Sequence, residues 1–217
     1  MAKVQSIRSR VAKRRTEPSG VHQFLIVLNG TDPLVWRRIQ VPEAYSFWDL
    51  HVAIQDAMGW LDCHLHEFRL LDPSGMLVSI GIPTGEESRD QPVLRGSDIR
   101  LSGFFERPGW HAPPAMYAYD FGDDWEHTLA HEGMLMAEAS ATYPRCLAGA
   151  RRCPPEDCGG VHGYAEFLRA IADPTHPEHA EMREWAGPFD PDDFKPATVK
   201  FDDPRKRLTK AFGDASS

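Results

Sequence analysis

Tyr119-Asp120-Phe121-Gly122-Asp123-Asp124-Trp125-Glu126-His127 is the stretch whose reading decides the fold. Upstream, Tyr117, Tyr119 and Phe121 alternate with Ala118 and Asp120. Downstream, Trp125, His127, Leu129 and His131 alternate with Glu126, Thr128, Ala130 and Glu132. A period of two on both sides of a short polar break predicts two antiparallel strands, each with one apolar face. Gly122-Asp123-Asp124 has the length and the glycine of a three-residue hairpin loop. The pairing predicted is 117–121 with 125–135, with Trp125 and the other aromatics facing the core. Asp120 and Glu126 then share the opposite face, beside Asp123 and Asp124 at the tip.

This hairpin packs four carboxylates and a histidine into nine residues, so Asp120, Asp123, Asp124, Glu126 and His127 are the candidate catalytic residues. Clustered carboxylates hold Mg²⁺ for phosphoryl chemistry. They also fix turns by accepting hydrogen bonds, which aspartate does by nature. Like charges this close raise a carboxyl pKa unless a cation or a basic partner relieves them. Arg37 and Arg38 are the nearest arginines in the pattern to serve as that partner. Asp-Phe-Gly also occurs in kinases, but no Gly-rich loop, strand lysine or His-Arg-Asp segment accompanies it.

Beyond the hairpin lie three of the four cysteines, Cys146, Cys153 and Cys158. Their spacing suits zinc as a structural ion, with His162, His131 or Cys63 as candidates for a fourth ligand. The alternative is buried free thiols packed as small hydrophobes. Four cysteines in 217 residues do not suggest a disulfide scaffold.

Working back from the hairpin, residues 21–28 are apolar on both faces, as in a central strand. Asn29-Gly30-Thr31-Asp32-Pro33 is a turn, and 35–41 alternates as a second strand paired to the first. Ser46 with Asp49 opens a helix carrying Phe47, Leu50, Ile54 and Met58 at helical spacing, and Gly59 ends it. His51 on that helix reads as a packed histidine. Residues 65–71 form a strand, and His64 and His66, two apart at its start, read as a metal pair or as two half-buried histidines on an apolar face. A short strand is predicted over 76–80, and another over 98–105 within a long Gly-, Pro- and charge-rich connection at 81–115. The C-terminal part is helical. Tyr164, Phe167, Leu168 and Ile171 mark one helix, Thr175 with Glu178 reads as a capping box for a second, and Asp203-Pro204 opens a third, basic one.

Composition is that of an ordinary globular protein, 41% hydrophobic and 26% charged. No run approaches the roughly 20 apolar residues of a membrane span, and the N-terminus lacks a signal-peptide core, which predicts a cytoplasmic protein without membrane contact. Charge is uneven. Lys3, Arg8, Arg10, Lys13, Arg14 and Arg15 stand among residues 1–16 without an acid, while the whole chain is −8, so residues 17–217 carry −14. A basic arm over 1–20 reads as a disordered, solvated tail, or as a nucleic-acid contact that neutralises phosphates. The acidic body offers no basic surface to extend such a footprint. Domain organisation is therefore a basic arm at 1–20, one α+β domain at 21–213 and a short tail at 214–217.

Several stretches together resemble one family. They are Val35-Trp36-Arg37-Arg38-Ile39, Asp49-Leu50-His51 with Gly59-Trp60, His64-Leu65-His66-Glu67-Phe68, the hairpin, and Cys153-Pro154-Pro155-Glu156-Asp157-Cys158-Gly159-Gly160 with Gly163-Tyr164. Across about residues 21–195 the chain resembles the plasmid pRiA ORF-three-like family, also described as insertion-element passenger TnpR-like proteins. The resemblance implies an α+β fold with a β-β-α-β-β start and a mixed or mainly antiparallel sheet, in a setting of mobile elements. It implies no established activity and assigns no catalytic residue. The TnpR label implies site-specific recombination, yet Ser6 and Ser9 lie in a basic tail before any strand, unlike a resolvase nucleophile. Three functions follow in order: a non-catalytic binding or accessory module for nucleic acid or a protein partner, a metal-dependent hydrolase or phosphodiesterase using the 120–126 carboxylates, and a recombinase.

Overall fold

The computed structural model describes residues 20–85, 92–105 and 112–213. The readings of a basic arm and of a C-terminal tail fall outside them, except that Gly20 already belongs to the first strand. β1 (Gly20–Leu28) and β2 (Val35–Pro42) pair antiparallel, with Leu28 opposite Val35. The Thr31 hydroxyl pins their connection, donating to Leu28 O and accepting from Val35 N, both at 3.0 Å.

α1 (Phe47–Met58) starts and stops where its caps dictate. The Ser46 hydroxyl accepts from Asp49 N, and the Asp49 carboxylate accepts from Ser46 N at 2.8 Å. Gly59 adopts φ +93°, a left-handed geometry that glycine takes without steric penalty, and its N–H returns to Gln55 O.

β3 (His66–Leu71), β4 (Leu77–Gly81) and β5 (Val93–Arg95) follow. The strand expected over 98–105 is a 3₁₀ turn (Gly96–Asp98) and a helical turn, α2 (Ser102–Phe105). The backbone between them is claimed by the start of α1, because Phe47 N donates to Ile99 O and Leu101 N to Tyr45 O.

β6 (Ala115–Tyr119) and β7 (Trp125–Met136) form the hairpin, with Tyr119 opposite Trp125. The loop therefore holds five residues, 120–124, rather than three. Asp120 and Asp124 both turn left-handed, at φ +56° and +54°, a region aspartate tolerates better than most residues. Asp124 N closes the turn on Asp120 O. Phe121, expected on the core face, is half exposed at the tip.

β8 (Arg145–Ala150) pairs with β2 at the sheet edge, so Cys146 stands on a strand. The helices α3 (Gly160–Ala172), α4 (His179–Ala186) and α5 (Pro204–Phe212) complete the chain. α4 does not start from a Thr175–Glu178 box. Both the Thr175 N–H and its hydroxyl turn back to the Asp173 carboxylate, and Glu178 offers no side-chain cap.

The eight strands make one sheet in the order β5-β4-β3-β6-β7-β1-β2-β8, antiparallel except between β4 and β5. Phe24, Ile26, Leu28, Val35, Ile39, Tyr117 and Trp125 share a core with Phe47, Leu50 and Ile54 of α1. The opposite face carries a polar network. Glu132 accepts from Arg38 and Gln23, Gln23 accepts from Gln40, and Gln40 accepts from Arg145. This α+β architecture is the expected one. Among the described residues, no helix is long and apolar enough to cross a membrane.

Candidate functional site

Three segments far apart in sequence meet at one corner of the sheet: Trp60 to His64, the β6–β7 turn, and 154–160. Trp60 stacks on Tyr119 with 5.0 Å between ring centres, and its indole N–H donates to Pro154 O at 3.0 Å. Glu156 accepts from Leu61 N at 2.8 Å and from the Tyr119 hydroxyl at 3.2 Å. That hydroxyl accepts in turn from Cys63 N at 3.1 Å. Burial, then the nearby Glu156 charge, pushes the Tyr119 phenol far above its ordinary range, so it stays a donor. Asp120 N donates to Leu65 O, and the Asp123 carboxylate accepts from Gly159 N at 3.1 Å.

At this corner His64 faces three carboxylates. Its Nε2 lies 3.5 Å from Asp120 Oδ2, 3.3 Å from Asp157 Oδ1 and 4.0 Å from Glu156 Oε2. Asp120 is nine-tenths buried there, while Asp157 is mostly exposed. Asp120 Oδ1 is occupied by Gly122 N at 2.9 Å, which aims Oδ2 at His64. Among the described residues, two sets place three ligand-type atoms within 4.8 Å of one another: Cys63 with His64 and Glu156, and His64 with Asp120 and Asp157.

The hairpin candidates separate accordingly. Asp120 enters this cluster, whereas Asp123 accepts from Gly159 N just before α3 and Asp124 is exposed. Glu126 stands opposite Ala118, and His127 is buried with Nδ1 3.2 Å from Tyr117 O. Burial lowers the His127 pKa to about 4. The arginine partners named from sequence point elsewhere: Arg38 pairs with Glu132, and Arg37 is buried against Ala57 O, Trp36 O and Ala150 O. Arg69 pairs with Glu67, which raises its pKa first, and the charges of Glu126 and Asp124 add to that rise.

Cys146, Cys153 and Cys158 are free thiols and do not form one of the three-atom sets. The Cys146 thiol turns to Ala148 O on its own strand, and Cys153 is buried in the core. Burial pushes the Cys153 thiol up strongly and the Cys158 thiol up to about 12. Of the fourth-ligand candidates, Cys63 joins a set, while His131 lies 3.1 Å from His22 on the strand interior.

The His-x-His pair also divides. His64 precedes the strand and reaches the cluster, whereas His66 is buried against His51. Sequence reasoning missed Glu156 and Asp157 as site residues, although both stand in the Cys153–Cys158 motif that it singled out.

Beside the cluster, α3 and α4 border a groove of about 440 Å³. Glu156, Asp157, Glu166, Glu178 and Glu181 line it, with Phe167, Met182 and a half-exposed Trp185 as its apolar floor. No lysine or arginine is among its lining residues. Glu166 is paired with Arg169.

The family model described as "Plasmid pRiA4b ORF-3-like protein" matches residues 20–198. The uncharacterized protein y4hQ of Sinorhizobium fredii is 39% identical over 199 residues, which is 92% of this chain and 94% of that protein. The crystal structure of MM3350, a protein of unknown function from Methanosarcina mazei Go1, superposes with a TM-score of 0.77 at 41% identity, covering 85% of this chain and all of that one. The three motifs that build the corner all lie inside the matched span, and the chain belongs to the plasmid pRiA4b ORF-3-like family.

Proposed function

We propose that the protein is a non-catalytic binding module whose α3–α4 groove takes a basic polypeptide segment. The observation that carries this is the groove lining: five carboxylates, no cation, and an exposed tryptophan. Carboxylates attract and orient lysine and arginine side chains, and an indole face adds cation–π attraction. Trp185 is braced for this by an edge contact to Phe167, with ring centres 5.7 Å apart. The basic run at 1–16 offers a separate route to nucleic acid, on a part of the chain distinct from the groove.

The test is tryptophan fluorescence of the full chain titrated with a short lysine- and arginine-rich peptide at two salt concentrations. We expect saturable binding that weakens with salt. Trp185→Ala and the pair Glu178→Gln, Glu181→Gln should each lower affinity about tenfold, in line with ~1.4 kcal/mol. Equal binding of an acidic peptide, or no loss in either variant, would sink the reading.

A metal-dependent hydrolase is the second reading, favoured by the carboxylates gathered at His64 rather than by the hairpin set. Divalent-dependent cleavage of bis(p-nitrophenyl) phosphate, abolished by Asp120→Asn, would put it first.

A further inference from the structure

We propose that His64, Asp120 and Asp157 bind one zinc-class divalent cation, with Glu156 at its edge.

Distance is the first argument. Donor atoms held at about 2.1 Å around a tetrahedral ion stand about 3.4 Å apart. His64 Nε2 is 3.5 Å from Asp120 Oδ2 and 3.3 Å from Asp157 Oδ1, with all three atoms within 4.8 Å of one another. These separations are too long for good hydrogen bonds and suit ligands around a shared centre.

The second argument is an unsatisfied atom. His64 Nε2 is closed off from solvent and has no hydrogen-bond partner among the described residues, although 28% of the side chain is exposed. A buried nitrogen of this kind is destabilising unless something accepts its lone pair or its proton. A cation between Nε2 and the two carboxylates uses that lone pair and offsets their mutual repulsion.

Charge is the third. Among the described residues, Asp120, Glu156 and Asp157 form ion pairs with His64 alone, and no lysine or arginine pairs with them. The donors are held by contacts of their own. Gly122 N fixes Asp120 through its other oxygen, and Leu61 N with the Tyr119 hydroxyl fixes Glu156. Such outer contacts orient ligands in metal sites.

One imidazole with two carboxylates, and a third nearby, favours a borderline ion over Mg²⁺ or Ca²⁺, which prefer all-oxygen shells. Three protein ligands leave a coordination position open to water. This set differs from the Cys146, Cys153 and Cys158 set suggested by spacing.

The test is calorimetric titration of the chelator-treated full chain with Zn²⁺ alone. We expect one Zn²⁺ per chain, and at least a tenfold loss of affinity in both His64→Gln and Asp120→Asn. Asparagine tolerates the left-handed geometry of residue 120, so the second variant keeps the turn, which circular dichroism checks. Substitution with Co²⁺ should give a visible spectrum of nitrogen and oxygen donors with at most one thiolate. Absence of binding in the wild type, unchanged affinity in both variants, or a Co²⁺ spectrum dominated by several thiolates would each overturn the proposal. Glu178→Gln with Glu181→Gln should leave Zn²⁺ affinity intact, so failure here is distinguishable from failure of the groove reading.

Discussion

His51 and His66 lie face to face in the core, 3.4 Å between ring centres with their planes 9° apart. His51 is anchored on both sides, by the Tyr117 hydroxyl at Nδ1 and by Asp62 at Nε2. His66 has no hydrogen-bond partner on either ring nitrogen among the described residues. Two stacked cations at this distance would repel strongly, and burial alone already lowers both pKa values, that of His66 furthest. Stacking and burial therefore both disfavour charge on the pair.

Acid sensitivity follows. Burial holds His22 and His127 at about 4, below the ordinary 6.5, and depresses His51 and His66 too. Below about pH 6.5 the unfolded chain takes up protons that the folded chain refuses. Stability is therefore complete above about pH 6.5 and declines as pH falls toward about 4, at about 1.4 kcal/mol per pH unit for each such histidine. Urea unfolding at pH 7.5, 6 and 5 measures the slope. His66→Phe keeps the stack, removes two unsatisfied nitrogens and should reduce the slope by about one proton. An unchanged slope would show that His66 titrates in the fold.

Arg37 should be among the most sensitive positions. It is fully buried, donating to Ala57 O at 2.8 Å, Trp36 O at 2.8 Å and Ala150 O at 2.9 Å, with its guanidinium 3.6 Å from the centre of the Phe194 ring. Ala57 lies in the last turn of α1, whose carbonyls lack partners within the helix and favour a cation. Arg37→Met should lower unfolding free energy by about 2–4 kcal/mol, because three carbonyls lose their donor. Arg37→Lys should recover only part of it, since one ammonium cannot span that fan of acceptors. A loss below about 0.5 kcal/mol for Arg37→Met would refute this account.

Much of the fold was legible because its signals are local. The Ser46–Asp49 box, the Gly59 stop, the alternation of Val35, Arg37, Ile39 and Val41, and the Asp203 cap each depend on neighbours in sequence. β8 was missed because Arg145-Cys146-Leu147-Ala148-Gly149-Ala150 has little strand propensity, and its pairing with β2 supplies the order. The hairpin loop was read two residues short because paired left-handed aspartates leave no glycine signature. Basic helix α5 is less solvated than its composition implies, since Arg207 reaches Asp56 and Asp202. The site was the least legible part. Its donors come singly from three segments, and only the fold puts His64 next to Asp120 and Asp157.

Gly160 tests that assembly. It sits at φ +66°, and a Cβ there would lie 2.4 Å from Asp123 O, so only glycine lets the hairpin tip rest against the start of α3. Gly160→Ala should destabilise by about 2–3 kcal/mol, combining left-handed strain with overpacking. It should also weaken Zn²⁺ binding by moving 154–160 away from Asp120. Gly75→Ala, at φ +86° with open space around it, should cost only about 1 kcal/mol and leave the ion untouched. Equal effects of the two changes, measured by urea unfolding and calorimetry, would argue that the close approach is unimportant.

Strand order has a consequence for how the chain is made. β1 lies between β2 and β7, yet β7 begins at Trp125. At about 5–20 residues per second, a ribosome takes roughly 5–20 s to deliver the hundred or so residues between them. Throughout that interval the nascent β1–β2–α1 unit carries an unpaired strand edge along Phe24, Ile26 and Leu28. An apolar edge without its neighbour is a template for intermolecular pairing. Losses during overproduction should therefore come from co-translational aggregation, and a holdase that shields this edge until β7 emerges should raise the yield without altering the stability of the finished protein.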